Sequence, residues 1–412
     1  MGTNWAGNLE YGSLGVLAPD SIDRLRDLIV KSEKVKALGT RHSFNSGADT
    51  EGVQISTERL NQVLHLDPER HTVTVQGGIS YGKLSAYLAE HGLALHNLAS
   101  LPHISVAGAC ATATHGSGVK NGSLATAVRA IEFVNAHGDL VQLDEEDEDF
   151  HGAVVNLGAL GVVTSMVLRV QHTFEVRQLV YQNLPLSELA SDFDAVAGSA
   201  YSVSFFTTWR SDTIDQVWQK HVGFGGVAPE TFHGATLSPV KLHPLPDHSA
   251  EHCTEQLGIP GSWHERLAHF RMDFTPSSGE ELQSEFMVPR QHTYHALQEI
   301  NKLRDRISPI LHVSEIRTAA SDRLWMSPAY AQDVTCIHFT WKKNWPAVQA
   351  LLPEIEVALV PFRAIPHWGK LFPMRHDYLK TVVPKMGDFK ALVAKHDPNG
   401  KFRNPYLDQV LG

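Results

Sequence analysis

Apolar side chains recur at Ile22, Leu25, Leu28 and Ile29, directly after Asp20 and Ser21. That spacing draws one apolar stripe along a helix, and either polar residue can cap its start. KVKAL (34–38) then alternates as a strand does. LHLDPERHTVTVQGG reads as a hairpin turning at Asp67-Pro68, and AVRAIEFVNAHGDLVQLD as a second turning at His137-Gly138-Asp139. Between them YGKLSAYLAEHG reads as a helix that stops at Gly92. FHGAVVNLGALGVVTSMVLRVQ predicts a helix, a glycine turn and a strand. After about residue 172 the pattern changes. Aromatic strands (SVSFFTTW, CIHFTWKK) alternate with longer helices (PRQHTYHALQEINKLRDRI), joined by proline-rich connectors at 237–246 and 258–262. The tail from DFKALVAKH onward reads as a helix followed by a turn. The pattern predicts a second α+β unit in the middle of the chain.

Composition narrows the function classes. The 412 residues carry 35 Lys and Arg against 45 Asp and Glu, a net charge of −10. Such a chain is not built to hold nucleic acid or anionic lipid surfaces. Its longest apolar run, 350–362, is broken by Pro353, Glu354, Glu356 and Pro361, so no membrane span is expected. The N-terminus lacks a basic start with an apolar stretch, and Ala6 breaks the myristoylation pattern. The three cysteines (Cys110, Cys253, Cys336) lie far apart, as in a reduced cytoplasmic protein.

Several short motifs have two readings each. Gly78-Ile79-Ser80-Tyr81-Gly82 matches a nucleophile elbow, or a glycine turn with Ser80 at a helix start. His248, Glu251 and His252 match the inverted zinc-protease pattern, on a short helix that Asp247 could cap, or are solvated histidines after a proline-rich loop. Residues 223–228 fit G-x-G-x-x-A but lack a preceding strand and read as a loop. No metal site is expected.

Longer signals carry more. In ALGTRHSFN (37–45) a strand delivers Gly39, Thr40 and Arg41 into a polar cluster, where backbone N–H groups can form an anion cradle. LASLPHISVAGACATATHGSG (98–118) has no charged residue, few large side chains after His103, and many hydroxyls. It suits close backbone approach to a pyrophosphate, or tight burial. LGALGVVTS (157–165) is a third glycine turn. In SEIRTAA, Glu315 and Arg317 share one strand face; in IHFTWKK, His338 and Thr340 do; Lys370 follows Gly369. Such a face could grip a polyhydroxylated molecule, or be the solvated side of an antiparallel sheet.

Together, and in this order, these segments resemble the vanillyl-alcohol-oxidase superfamily of flavoenzymes, and within it the bacterial alditol (xylitol) oxidases. The likeness runs from TNWAGN (3–8) to HDPNGKFRNP (396–405) and includes HSFN, ASLPHISVAG, THGSG, NGSLA, CTEQ, FTPSSGEELQSE, EIRT, HFTW and PHWGK. It implies a two-domain α+β fold. Residues 1–172 and the returning tail 376–412 would bind FAD, and 173–375 would form a substrate domain with an antiparallel sheet and helices. The implied FAD contacts are Ala37, Leu38, Gly39, Thr40, Arg41, His42, Ser43, Ala99, Ser100, Ser105, Gly108, Ala109, Cys110, Ala111, His115, Val163 and His367. His42 matches the covalent attachment site. No second tether is implied, because Cys110 lies inside the pyrophosphate segment. One departure stands out: Arg41 precedes His42 where relatives carry Gly.

The resemblance implies a polyol held by Ser100, Glu315, Arg317, Thr340 and Lys370. Its terminal CH2OH would be oxidised to an aldehyde while O2 becomes H2O2. Arg317 and Lys370 would stabilise alkoxide character, and Lys370 or His338 would take the proton. Ala99 matches the small residue that admits oxygen beside the flavin edge. The alternative is an aldonolactone oxidase or dehydrogenase of the same superfamily. The expected partners are the polyol and O2, without nucleic acid or membrane, and the chain is expected to be a cytoplasmic monomer.

Overall fold

The computed structural model describes residues 2–272 and 281–412. The first seven residues of FTPSSGEELQSE therefore lie outside the described residues.

Helix Ile22–Lys31 forms where expected. The Ser21 side chain accepts from Arg24 N, and Leu25 and Ile29, one turn apart, are fully buried. It connects strand Gly15–Leu17 to Val35–Leu38, and both pair in parallel with Val53–Ser56. Beside them lies an antiparallel sheet in the order Val63–Asp67, Thr72–Gln76, Val162–Arg169, Val128–Val134, Leu140–Asp144. Both expected hairpins are present in it. Helix Tyr81–Glu90 follows, and Gly92 takes φ 70°, the left-handed stop that glycine tolerates.

A large antiparallel sheet fills the middle of the chain. Its central order is Glu175–Pro185, Thr213–Val222, Ser202–Thr207, Leu311–Ala319, Val334–Lys342, Glu281–Pro289. These strands are buried on both faces. One face presents Phe205, Phe286, Ile316, Ile337 and Phe339, which share an apolar core with Val348, Leu351, Leu352 and Ile355 of helix Trp345–Leu359. Each such side chain contributes about 1.5–3 kcal/mol by leaving water. The opposite face mixes apolar side chains with a buried group of charged and polar ones, and that group builds the site.

The tail packs back onto the first segment. Val35 N donates to Lys401 O (3.0 Å), Ala136 N to His396 O (3.1 Å), and the Asn404 side chain to Ser46 O (3.0 Å). Two expectations need correction. The helix expected over 289–307 breaks into Thr293–Asn301 and Arg304–Ile307. The tail does not end in a turn: a further helix, Pro405–Leu411, starts with Asn404 accepting from Leu407 N (3.0 Å) and proline in its first turn. Among the described residues, no helix is long and apolar enough to cross a membrane.

Candidate active site

The strand register assembles the polar face row by row. Glu285, His338 and Glu315 are direct neighbours across three strands, with Phe206 next in line. Two residues along, Met287, Cys336 and Arg317 form the adjacent row. On the other side Thr340 sits opposite Gln283 and Val313. Side chains two apart on a strand share a face, so all of these project together. Lys370 arrives from a loop stapled to the same edge, where His367 N donates to Glu285 O and Leu371 N to Gln283 O, each at 2.9 Å.

Glu285, absent from the expected set, is the hub. Its side chain is fully buried. Oε2 lies 2.5 Å from Lys370 Nζ, and Oε1 lies 3.3 Å from an Arg317 nitrogen and 3.1 Å from His115 Nε2. A buried carboxylate without such partners would be prohibitively costly. Burial would raise its pKa, but Lys370, His115 and Arg317 outweigh this and hold it well below the usual carboxylate range. Glu315 is likewise held low against burial by Arg317 and His269, whose Nε2 is 2.7 Å from Oε1. Two cations, Arg317 and Lys370, thus balance two carboxylates.

Lys370 Nζ also donates to His338 Nδ1 at 2.7 Å, and His338 Nε2 is 3.0 Å from Thr340 Oγ1. Burial first, then the Lys370 charge, push the His338 pKa down to about 4, so the ring is neutral at pH 7. With Nδ1 accepting, Nε2 carries the proton and donates to Thr340. Burial and Arg317 lower the Lys370 pKa, while Glu285 opposes them. Arg317 reaches the other wall, donating to Ser100 Oγ (3.3 Å) and His115 O (3.4 Å).

A cavity of about 580 Å³ runs from this face to the glycine-rich segments. Ser105 brings two of those segments together. Its N donates to Thr40 Oγ1 (3.3 Å), and a Cβ on Gly39 or Gly108 would come within 2.7 or 2.8 Å of its hydroxyl. A side chain at either position would push the Ser105 hydroxyl aside. His42 stacks on Trp5 with centroids 5.2 Å apart, and neither ring nitrogen has a hydrogen-bond partner. Burial pushes its pKa down to about 4, leaving a neutral imidazole. A buried ring with two orphaned nitrogens, beside a glycine-lined cradle, fits a flavin and a bond to it. Arg41 sits at φ 65°, in the left-handed region that favours glycine.

Of the expected contacts, all but Cys110 line this cavity. The Cys110 thiol points instead into the core, 3.6 Å from the Tyr81 hydroxyl, and burial pushes its pKa up to about 12. The competing motifs resolve into ordinary structure. Ser80 caps helix Tyr81–Glu90, its hydroxyl accepting from Lys83 N. The segment with His248 and His252 holds only the 3₁₀ turn Ala250–His252, capped by Ser249 rather than Asp247. Residues 223–228 form an irregular loop, although, against expectation, strand Thr213–Val222 runs directly into it. Among the described residues, His115, Glu285 and Cys336 could bring three metal-ligating atoms together. Lys370 and Arg317 already occupy that carboxylate, so a cation there would meet two fixed positive charges.

Glu285 and His269 were not found from sequence. Glu285 stands in ELQSEFMVP beside Glu281, Gln283 and Ser284, so its strand gives no local sign of a buried carboxylate. His269 lies in a loop and carried no signal either.

This convergence of a glycine-lined cradle and a buried charged sheet face has counterparts. Residues 13–144 match the family model "FAD binding domain", and 274–410 match "D-arabinono-1,4-lactone oxidase". The chain is 45% identical over 412 residues to an alditol oxidase of Streptomyces sp. strain IKD472, covering 99% of this chain and 98% of that protein. It is 28% identical to an L-gulono-1,4-lactone dehydrogenase of Mycobacterium tuberculosis, covering 100% and 99%. The fold is shared with the crystal structure of cholesterol oxidase from B. sterolicum (TM-score 0.80, 15% identity, 100% and 96% covered). It is also shared with xylooligosaccharide oxidase from Myceliophthora thermophila (TM-score 0.75, 15% identity, 99% and 93% covered). With near half-identity across its whole length and an FAD-binding cradle at its core, the chain belongs to the alditol oxidase family of FAD-dependent oxidoreductases.

Proposed function

We propose that the protein oxidises the terminal CH2OH of an alditol of the xylitol or sorbitol type to the aldehyde, with O2 reduced to H2O2. FAD, when bound, supplies the hydride acceptor and the reductant of O2. The observation that carries the reading is the Lys370–Glu285–Arg317 cluster. It sets the Arg317 guanidinium and the Lys370 amino group, both paired with one buried carboxylate, at one wall of a cavity whose other wall is the glycine-lined cradle.

The chain's own residues divide the work. Arg317 and Lys370 stabilise negative charge on the reacting oxygen, as an oxyanion hole does. Lys370 takes the hydroxyl proton: burial keeps its amine form accessible, and Glu285 stabilises the ammonium that results. His338 orients rather than accepts, since its two nitrogens are engaged by Lys370 and Thr340. Glu315 accepts hydrogen bonds from inner hydroxyls, and Ser100 and Thr340 fix the register of the chain. A molecule lacking those hydroxyls would leave buried polar groups unpaired, which penalises it. His42 is the residue that would hold the flavin covalently, and its orphaned nitrogens support this. The division into 1–172, 173–375 and 376–412 belongs to the same reading, supported by the tail's hydrogen bonds to the first segment.

The second reading is aldonolactone oxidation, favoured by the lactone-oxidase match over 274–410. Peroxide formation by the purified yellow protein with xylitol and sorbitol, against L-gulono- and arabinono-lactones, separates the two. Turnover of alditols alone supports the proposal; turnover of lactones alone overturns it.

A further inference from the structure

Lys220 plays no part in the reaction above, yet it is buried, with 1% exposure. It shares the site-bearing face of the sheet, opposite Ser202. Its Nζ donates to three consecutive carbonyls, Arg266 O at 2.5 Å, Leu267 O at 2.8 Å and Ala268 O at 2.8 Å. These follow the 3₁₀ turn Trp263–Glu265, where the chain leaves helical geometry and its carbonyls lack helical N–H partners. Thr254 Oγ1 adds a hydrogen bond to Ala268 O at 2.8 Å.

The next residue is His269, and it touches both walls of the cavity. Its backbone N donates to Ser100 O (3.3 Å), and its Nε2 meets Glu315 Oε1 at 2.7 Å. Phe206 and Trp218 hold the ring edge-on at 5.6 and 5.3 Å between centroids. Its Nδ1 has no partner, so the proton sits on Nε2 and is donated to Glu315. Burial lowers the pKa of the ring, Glu315 opposes this, and Lys220 and Arg317 add to the lowering.

We infer that Lys220 and His269 form a positioning relay: the lysine fixes the 266–268 turn, the turn fixes His269, and His269 sets Glu315 and Ser100 relative to one another for recognition of the inner hydroxyls of the polyol. The inference rests on the alditol reading above. Neither residue touches the reacting atoms, so their loss acts on recognition before chemistry. Burying a carboxylate oxygen without its donor is costly, and a wandering Glu315 weakens only those substrates that reach it.

The test uses the full-length flavoprotein and anaerobic flavin reduction with xylitol and with glycerol, which has a single inner hydroxyl, next to the reacting carbon, where xylitol has three. His269→Phe keeps the ring packing and removes the donor. It is expected to raise KM for xylitol at least ~10-fold while the limiting rate falls less than ~3-fold and KM for glycerol changes less than ~2-fold. His269→Gln, which retains an N–H for Glu315, should recover most of the xylitol KM. Lys220→Met should mimic His269→Phe, and the double variant should be no worse than either alone. If Lys220→Met does not fold, Thr254→Val loosens the same turn and should raise the xylitol KM in the same direction. Equal losses for xylitol and glycerol, no rescue by Gln, or additive effects would overturn the relay. Absence of xylitol oxidation by the wild-type protein would overturn the alditol reading and the relay with it; xylitol oxidation with an unchanged KM in His269→Phe would overturn the relay alone.

Discussion

The ammonium group of Lys370 lies 2.5 Å from the fully buried Oε2 of Glu285. That contact raises the proton affinity of the lysine against burial and Arg317, which lower it. Glu315, more distant, adds to the pull of Glu285. Glu285→Gln keeps the shape and removes the charge. The direction follows from the sign: Glu285 raises the Lys370 pKa, so its neutralisation lowers it. A base with a lower pKa is free at lower pH. The acid limb of the flavin-reduction rate should therefore move to lower pH, by about one unit or more, with bound flavin retained. The check is an anaerobic pH series with xylitol by stopped flow. An acid limb that stays in place would mean Lys370 is not the group that titrates.

Lys370→Met removes both the proton acceptor and half of the oxyanion charge. Flavin reduction should slow at least ~100-fold, while binding of the polyol weakens far less. Rapid-reaction kinetics separates the two terms. A rate close to that of the unaltered protein would transfer the role to Arg317 and His338.

How much of this was legible in the sequence depends on how far apart the partners lie. Local periodicity located helix Ile22–Lys31 and both hairpins, since caps and alternation act within a few residues. It also put Glu315 with Arg317, and His338 with Thr340, on shared strand faces. Whether that face met solvent was open, because a strand two-residue period does not say what covers it; here it is buried. Glu285 was illegible for a different reason. Its meaning comes from Lys370, 85 residues away, and from a register between strands that no local pattern encodes. Lys36 and Lys220 look like surface lysines in sequence, yet each ends on buried backbone carbonyls. Helix 405–411 announced itself through Asn404-Pro405, a start signal overshadowed by the glycine turn before it.

Ser80→Ala distinguishes the cap from a nucleophile. The hydroxyl accepts from Lys83 N at 3.3 Å at the start of helix Tyr81–Glu90. Its loss should cost about 0.5–2 kcal/mol of stability, read from denaturant unfolding, with oxidation of xylitol retained. Stability unchanged would show that the cap contributes nothing measurable.

His42 and Arg41 make a linked prediction about the flavin. His42→Ala removes the buried imidazole whose two nitrogens lack partners, so flavin should appear in the supernatant after acid precipitation rather than in the pellet. Arg41 is held at φ 65°, a conformation that costs a non-glycine residue about 1–2 kcal/mol. Arg41→Gly relieves that strain but gives the unfolded chain more freedom, worth about 0.5–1 kcal/mol in the opposite direction. The variant should therefore unfold at equal or slightly higher denaturant concentration than the parent. The His42 ring is held by Trp5, and the backbone carbonyl of residue 41 still accepts from Trp5 N at 2.8 Å whatever side chain stands there. Acid-stable flavin should thus survive in Arg41→Gly. A yellow supernatant from that variant would instead assign the guanidinium a direct part in holding the cofactor, since the backbone that presents His42 would be the same.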